Sequence, residues 1–146
     1  MSKPKILYLP TPGHTQQVFK PEVFERFLRN FDVTLNETGA NYTTEQVAAQ
    51  IQGFDGLVTG WGTPRLTVEV LENADKLRII AHSAGSVKGM LTDVVEKYLI
   101  PRNICVFSAN GAIAYNVAEH TIGALIMTGR RFVDHAVAIR EKDVWK

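Results

Sequence analysis

Short runs rich in Ile, Val and Leu alternate with segments of helical spacing from one end of this chain to the other, the pattern of βαβ units around a parallel sheet. Five runs read as strands: Lys5 to Leu9, Asp32 to Asn36, Gly56 to Gly60, Arg78 to His82 and Ile104 to Phe107. The second is thin, with only Val33 and Leu35 on one face, as suits an edge strand. Between strands, Pro21 fits the first turn of a helix, where its missing N–H costs nothing, and Val23, Phe24, Phe27 and Leu28 follow as an apolar stripe. Thr43 or Thr44 can cap a helix from Glu45 to Gln52 whose buried face is Val47, Ala48 and Ile51. Shorter helical stretches lie at Leu66 to Leu71 and around Leu91 to Tyr98. From about Ala114 to Glu141 there is no proline, which predicts one long helix, apolar on more than one side and so covered on a second side by a neighbour.

Five strands in 146 residues fit a flavodoxin-like doubly wound α/β sheet of order 2-1-3-4-5. The expected organisation is this domain over 1–112, a long interdomain helix over 113–141, and a truncated linker at 142–146. Sixteen Lys and Arg against 15 Asp and Glu leave a net charge of +1 with no basic run, so nothing marks a nucleic-acid partner. No apolar run is long enough for a bilayer, and Ile6 to Leu9 is too short for a signal-peptide core, so a cytoplasmic location with no membrane contact is expected. Cys105 is the single cysteine, which excludes an internal disulfide, and its apolar strand makes it read as a buried structural thiol. His14, His82, His120 and His135 lack metal-ligand spacing, and no metal site is expected.

Ligands of such sheets bind at the carboxyl ends of the strands, so four loops carry the candidates: 10–15, 61–65, 82–89 and 108–113. Trp61 and Gly62 sit in the second, where the indole either packs on a helix or forms a wall of a small-molecule pocket. His82-Ser83-Ala84-Gly85-Ser86 puts small residues directly after a buried strand and leaves successive backbone N–H groups uncovered, which suits a carboxylate or phosphate, although small residues also fit a tight connection. Thr11-Pro12-Gly13-His14-Thr15 is partly like an FMN phosphate loop, but Pro12 removes a donor. The acids that a response regulator needs are absent from the ends of the first and third strands. Glu119 and His120 read as helix-end and interdomain hydrogen-bonding groups, and no nucleophile, base and orienter can be assembled, so no catalytic residue is assigned.

Leu77-Arg78-Ile79-Ile80-Ala81-His82-Ser83-Ala84-Gly85-Ser86-Val87-Lys88-Gly89, followed in register by Val117-Ala118-Glu119-His120-Thr121, resembles the D-isomer-specific 2-hydroxyacid dehydrogenases over essentially the whole chain. The resemblance implies the substrate-binding domain of an enzyme that moves hydride between NAD or NADP and a small 2-hydroxy or 2-keto acid. It implies that the amides of Ala84, Gly85 and Ser86 hold the substrate carboxylate, and that Trp61 and Gly62 line the side-chain pocket. The cofactor and the catalytic residues belong, in that family, to a second, Rossmann domain. This chain departs from the pattern at Ile113, where the family often has asparagine, and has no G-x-G-x-x-G: Gly60 and Gly62 are followed by Arg65. In the family that fingerprint follows a tryptophan like Trp145. The expectation is a fragment inactive by itself that binds no cofactor and pairs with a Rossmann domain or, through the long helix, as a homodimer. A free-standing FMN-binding or protein-interaction module is the alternative.

Overall fold

The computed structural model describes residues 2–142. Trp145 and the expected linker, apart from Lys142, lie outside the described residues. The chain divides into two compact units, Met1–Asn110 and Gly111–Lys146.

The first unit holds a five-stranded parallel sheet of order β2-β1-β3-β4-β5, the order read from the sequence. Its strands are β1 (Lys5–Tyr8), β2 (Asp32–Leu35), β3 (Gly56–Thr59), β4 (Ile79–His82) and β5 (Cys105–Ser108). Register aligns Leu7, Leu57, Ile80 and Val106 on one face and Tyr8, Val58, Ala81 and Phe107 on the other. The first face carries the core. It packs against α3 (Thr44–Gln50), α4 (Val68–Asn73), α5 (Lys88–Leu91) and a π-helix at Val95–Leu99 through Val47, Ile51, Val70, Leu71, Leu91 and Val94. A complete capping box starts α3: the Thr43 hydroxyl accepts from the Gln46 N–H, and the Gln46 side chain accepts from the Thr43 N–H.

The second face is aromatic at one end. Tyr8 lies under Phe24 and Phe27 of α2 (Pro21–Asn30) and beside Phe19, with ring centroids 5.5, 6.1 and 6.5 Å away. Toward β5 the rings thin out, and Phe107 is 58% exposed. An apolar groove of about 440 Å³ runs along this face between Phe27 and Phe107 and reaches His82 and Ser83.

Three expectations are corrected. The segment after β1 is not a loop: Pro12–Val18 forms α1, with Thr11 as its N-cap and Pro12 in the first turn. Cys105 is exposed, because β5 is an edge strand and the sheet's second face is thinly covered there. The long C-terminal helix is two helices, α6 (Asn110–Gly129) and α7 (Phe132–Lys142), broken where Arg131 takes φ +52°, a left-handed conformation that ends a helix. Apolar residues surround α6, with Val117, Ile122, Leu125 and Ile126 all more than half exposed. No described helix is long and apolar enough to cross a membrane.

Candidate functional site

The order 2-1-3-4-5 places the switch point between β1 and β3, and the segments leaving β1, β3 and β4 meet above it. From β1 comes α1, whose Thr11 cap accepts from the His14 N–H and whose second turn is held by a Thr15 to Tyr8 hydroxyl bond of 2.8 Å. His14 is thereby turned inward and is buried. Its Nε2 lies 2.9 Å from the Ser83 hydroxyl, and its ring stands edge-on to Trp61 at 4.7 Å. One imidazole therefore touches both the loop after β3 and the loop after β4.

The loop after β3 is shaped to admit that ring. A Cβ at Gly60 would fall 2.6 Å from His14 Nε2, so only glycine leaves room. Gly62 takes φ +75°, and a Cβ there would collide with the Asn41 side chain. The Gly60 N–H donates to the Thr63 hydroxyl at 2.9 Å and closes the turn, leaving Trp61 55% exposed.

The loop after β4 is fixed from below. The Ser83 N–H and Ser83 hydroxyl both donate to the Thr59 carbonyl at 2.9 Å, and the Ala109 N–H donates to the carbonyls of His82 and Ala84 at 3.1 Å. Ala84 is buried, Gly85 half-buried and Ser86 exposed. Among the described residues, the N–H groups of Ala84, Gly85 and Ser86 donate to no protein acceptor. Three consecutive N–H donors without a protein acceptor, just past a strand's carboxyl end, are available to an anion. The sequence candidates thus sit on adjacent strand ends, Trp61 and Gly62 after β3, Ala84 to Ser86 after β4, with His14 between them.

Beneath the loops, the Thr59 hydroxyl and His82 Nδ1 lie 2.8 Å apart. Burial holds the pKa of both His14 and His82 below the ordinary 6.5, and their mutual proximity lowers His82 further. Both are therefore neutral near pH 7, so neither is a fixed positive charge for an anion to meet. Sequence reasoning placed Ser83 and His82 in the small-residue stretch and His14 in the loop after the first strand, but it did not foresee the His14–Ser83 and Thr59–His82 side-chain contacts. Thr11-Pro12, a capping residue followed by a first-turn proline, was the available signal for α1 and hence for the placement of His14.

The residues of this corner do not fit a dinucleotide. Gly60 and Gly62 lead into an irregular stretch before α4 begins at Val68, so no helix opens directly on the glycine turn as it does in a G-x-G-x-x-G pyrophosphate site. Thr11 caps α1 by accepting from the His14 N–H, and Pro12 has no N–H to offer an FMN phosphate, so the FMN alternative is not favoured. Among the described residues no group of three His, Cys, Asp or Glu side chains is placed to hold a metal.

A doubly wound domain whose strand-end loops meet at the switch point, with backbone donors left free after its fourth strand, is the class that this geometry defines. Residues 15–141 match the family model described as D-isomer specific 2-hydroxyacid dehydrogenase, catalytic domain, and the chain belongs to that family. The PH0520 protein of Pyrococcus horikoshii is a similar solved structure, 27% identical with a TM-score of 0.66, matched over 96% of this chain and 38% of that one. A phosphoglycerate oxidoreductase from Rhizobium etli is 18% identical, with a TM-score of 0.68 over 95% of this chain and 40% of that one. An NADPH-dependent glyoxylate/hydroxypyruvate reductase from Sinorhizobium meliloti, solved with NADP and malonate, is 21% identical, with a TM-score of 0.56 over 96% and 40%. This chain spans less than half the length of these structures. No curated protein matches it.

Proposed function

We propose that this domain captures the carboxylate of a small 2-hydroxy or 2-keto acid for an NAD(P)-dependent dehydrogenase. The observation that carries the reading is the row of unsatisfied N–H groups at Ala84, Gly85 and Ser86. Two of these donors can hold the two oxygens of one carboxylate, and charge-assisted bonds of that kind are stronger than neutral ones. Trp61 and Gly62 border the space where the acid's side chain lies, so ring and backbone there set which acids fit. The malonate in the Sinorhizobium reductase, itself a small dicarboxylate, is in keeping with ligands of this class.

The cofactor, NAD or NADP, and the groups that polarise the substrate carbonyl are supplied by a Rossmann domain, and residues 113–141 lead toward it. In this reading the 146-residue chain binds acid weakly and turns none over. Oxalate titrated into the labelled chain should shift the amide resonances of Ala84, Gly85 and Ser86 and the Trp61 indole. Amides that stay fixed at saturating oxalate, or NADH oxidation by the purified chain, would sink the proposal.

The apolar girdle of α6 supports a partner surface, either the Rossmann domain or a second copy. The isolated chain should then dimerise at high concentration in light scattering, and a strictly monomeric profile would count against a homodimer.

A further inference from the structure

His14 is an expensive residue to keep where it stands. Its Nδ1 is buried with no hydrogen-bond partner, a condition that native structures rarely leave without a reason. Gly60 must stay bare to admit the ring. An apolar side chain would fill the same space without stranding a polar atom, so packing alone does not account for it.

The hydrogen-bond pattern identifies what the ring does. The Ser83 hydroxyl has a single proton, and a carbonyl only accepts, so that proton goes to the Thr59 carbonyl at 2.9 Å. What Ser83 offers Nε2 is then a lone pair, and the 2.9 Å contact is a bond donated by His14. The ring is the Nε2–H tautomer, which makes the unpartnered Nδ1 a lone pair rather than a proton. Ser83 is gripped from two sides, from below by Thr59 and from the α1 side by His14. It is the residue from which the free amides of Ala84, Gly85 and Ser86 lead off.

We infer that His14 is a positioning residue for carboxylate capture, its Nε2–H fixing Ser83 so that the three amides converge before any ligand arrives. This rests on the capture reading above and extends it to a residue 69 positions away that touches no substrate. Preorganisation of this sort acts on affinity, because donors held in place lose little freedom on binding.

Oxalate affinity of the 146-residue chain, followed through the amide resonances of residues 84–86, tests it with three variants. Replacing His14 by Phe keeps a ring but no donor, and Ser83→Ala removes the acceptor; each should weaken oxalate binding about tenfold, the worth of one ordinary hydrogen bond. His14→Gln carries an amide N–H that reaches the place of Nε2 and should bind within about threefold of wild type. A role confined to stability would lower the melting temperature of both His14 variants without this rescue. Wild-type affinity in the Phe or the Ala variant, or a Gln variant as weak as Phe, overturns the inference while leaving the capture reading in place. If the Phe variant does not fold, Ser83→Ala decides alone. A wild-type chain that ignores oxalate removes the capture reading and this inference together.

Discussion

The two faces of the sheet are built by different means. On the first, Leu7, Leu57 and Ile80 come from three adjacent strands and meet α3, α4 and α5 in a contiguous apolar core. On the second, packing is carried by aromatic rings gathered over β1, and the register row from Tyr8 ends at an exposed Phe107. The lesson is that stability and recognition are separated: one face holds the sheet together, while the other has surface left over. The polar pairs at the carboxyl ends lie where the packed face stops, for Thr59 and His82 continue the rows of Leu57 and Ile80.

The sharpest break of this contrast is Ile80→Ala. Ile80 is fully buried, and its truncation should cost about 2–5 kcal/mol, read as a lower urea midpoint; a loss under about 1 kcal/mol would mean that this face is not the core. A middle-sized effect is expected from pH. His14 and His82 have folded pKa values below 6.5, so between those values and 6.5 the unfolded chain binds protons that the folded chain excludes. Stability should therefore be insensitive to these groups above pH 6.5 and fall as pH is lowered through it, levelling off below the folded values. Urea midpoints measured between about pH 7 and about pH 5 should show a smaller fall in His14→Gln than in wild type. Equal falls would remove His14 from the account. The smallest effect belongs to Phe107→Thr, which should change stability by no more than about 0.5 kcal/mol, since the ring is already more than half in solvent. A large loss there would show that the second face is packed after all.

Strand positions and order were legible in the sequence because a parallel sheet buried between layers needs β-branched runs, and Gly56-Leu57-Val58-Thr59 or Ile79-Ile80-Ala81-His82 have few other uses. Helix ends were less so. Pro12 and Gly13 read as breakers, yet with Thr11 ahead of them they open a helix. The break at Arg131 carries no proline, and the preceding Gly129 alone does not distinguish a stop from a tolerated glycine. Cys105 was misplaced because periodicity says which side a residue faces and nothing about whether that side is covered. The loop residues Trp61, Gly62, Ala84, Gly85 and Ser86 could be named from the sequence as candidates, but the bond that ties their loops together could not. His14 and Ser83 are 69 residues apart, and only the closure of the sheet makes them neighbours.

The π-helix at Val95–Leu99 gives the chain a place to change length. Its bonds run from the Leu99 N–H to the Val94 carbonyl and from the Ile100 N–H to the Val95 carbonyl, five residues back, which is an α-helix with one residue too many in the turn. Deleting Glu96, which is exposed, should let the turn relax to ordinary α-helical spacing with Leu99 still buried, and a urea midpoint close to that of the parent chain would bear this out.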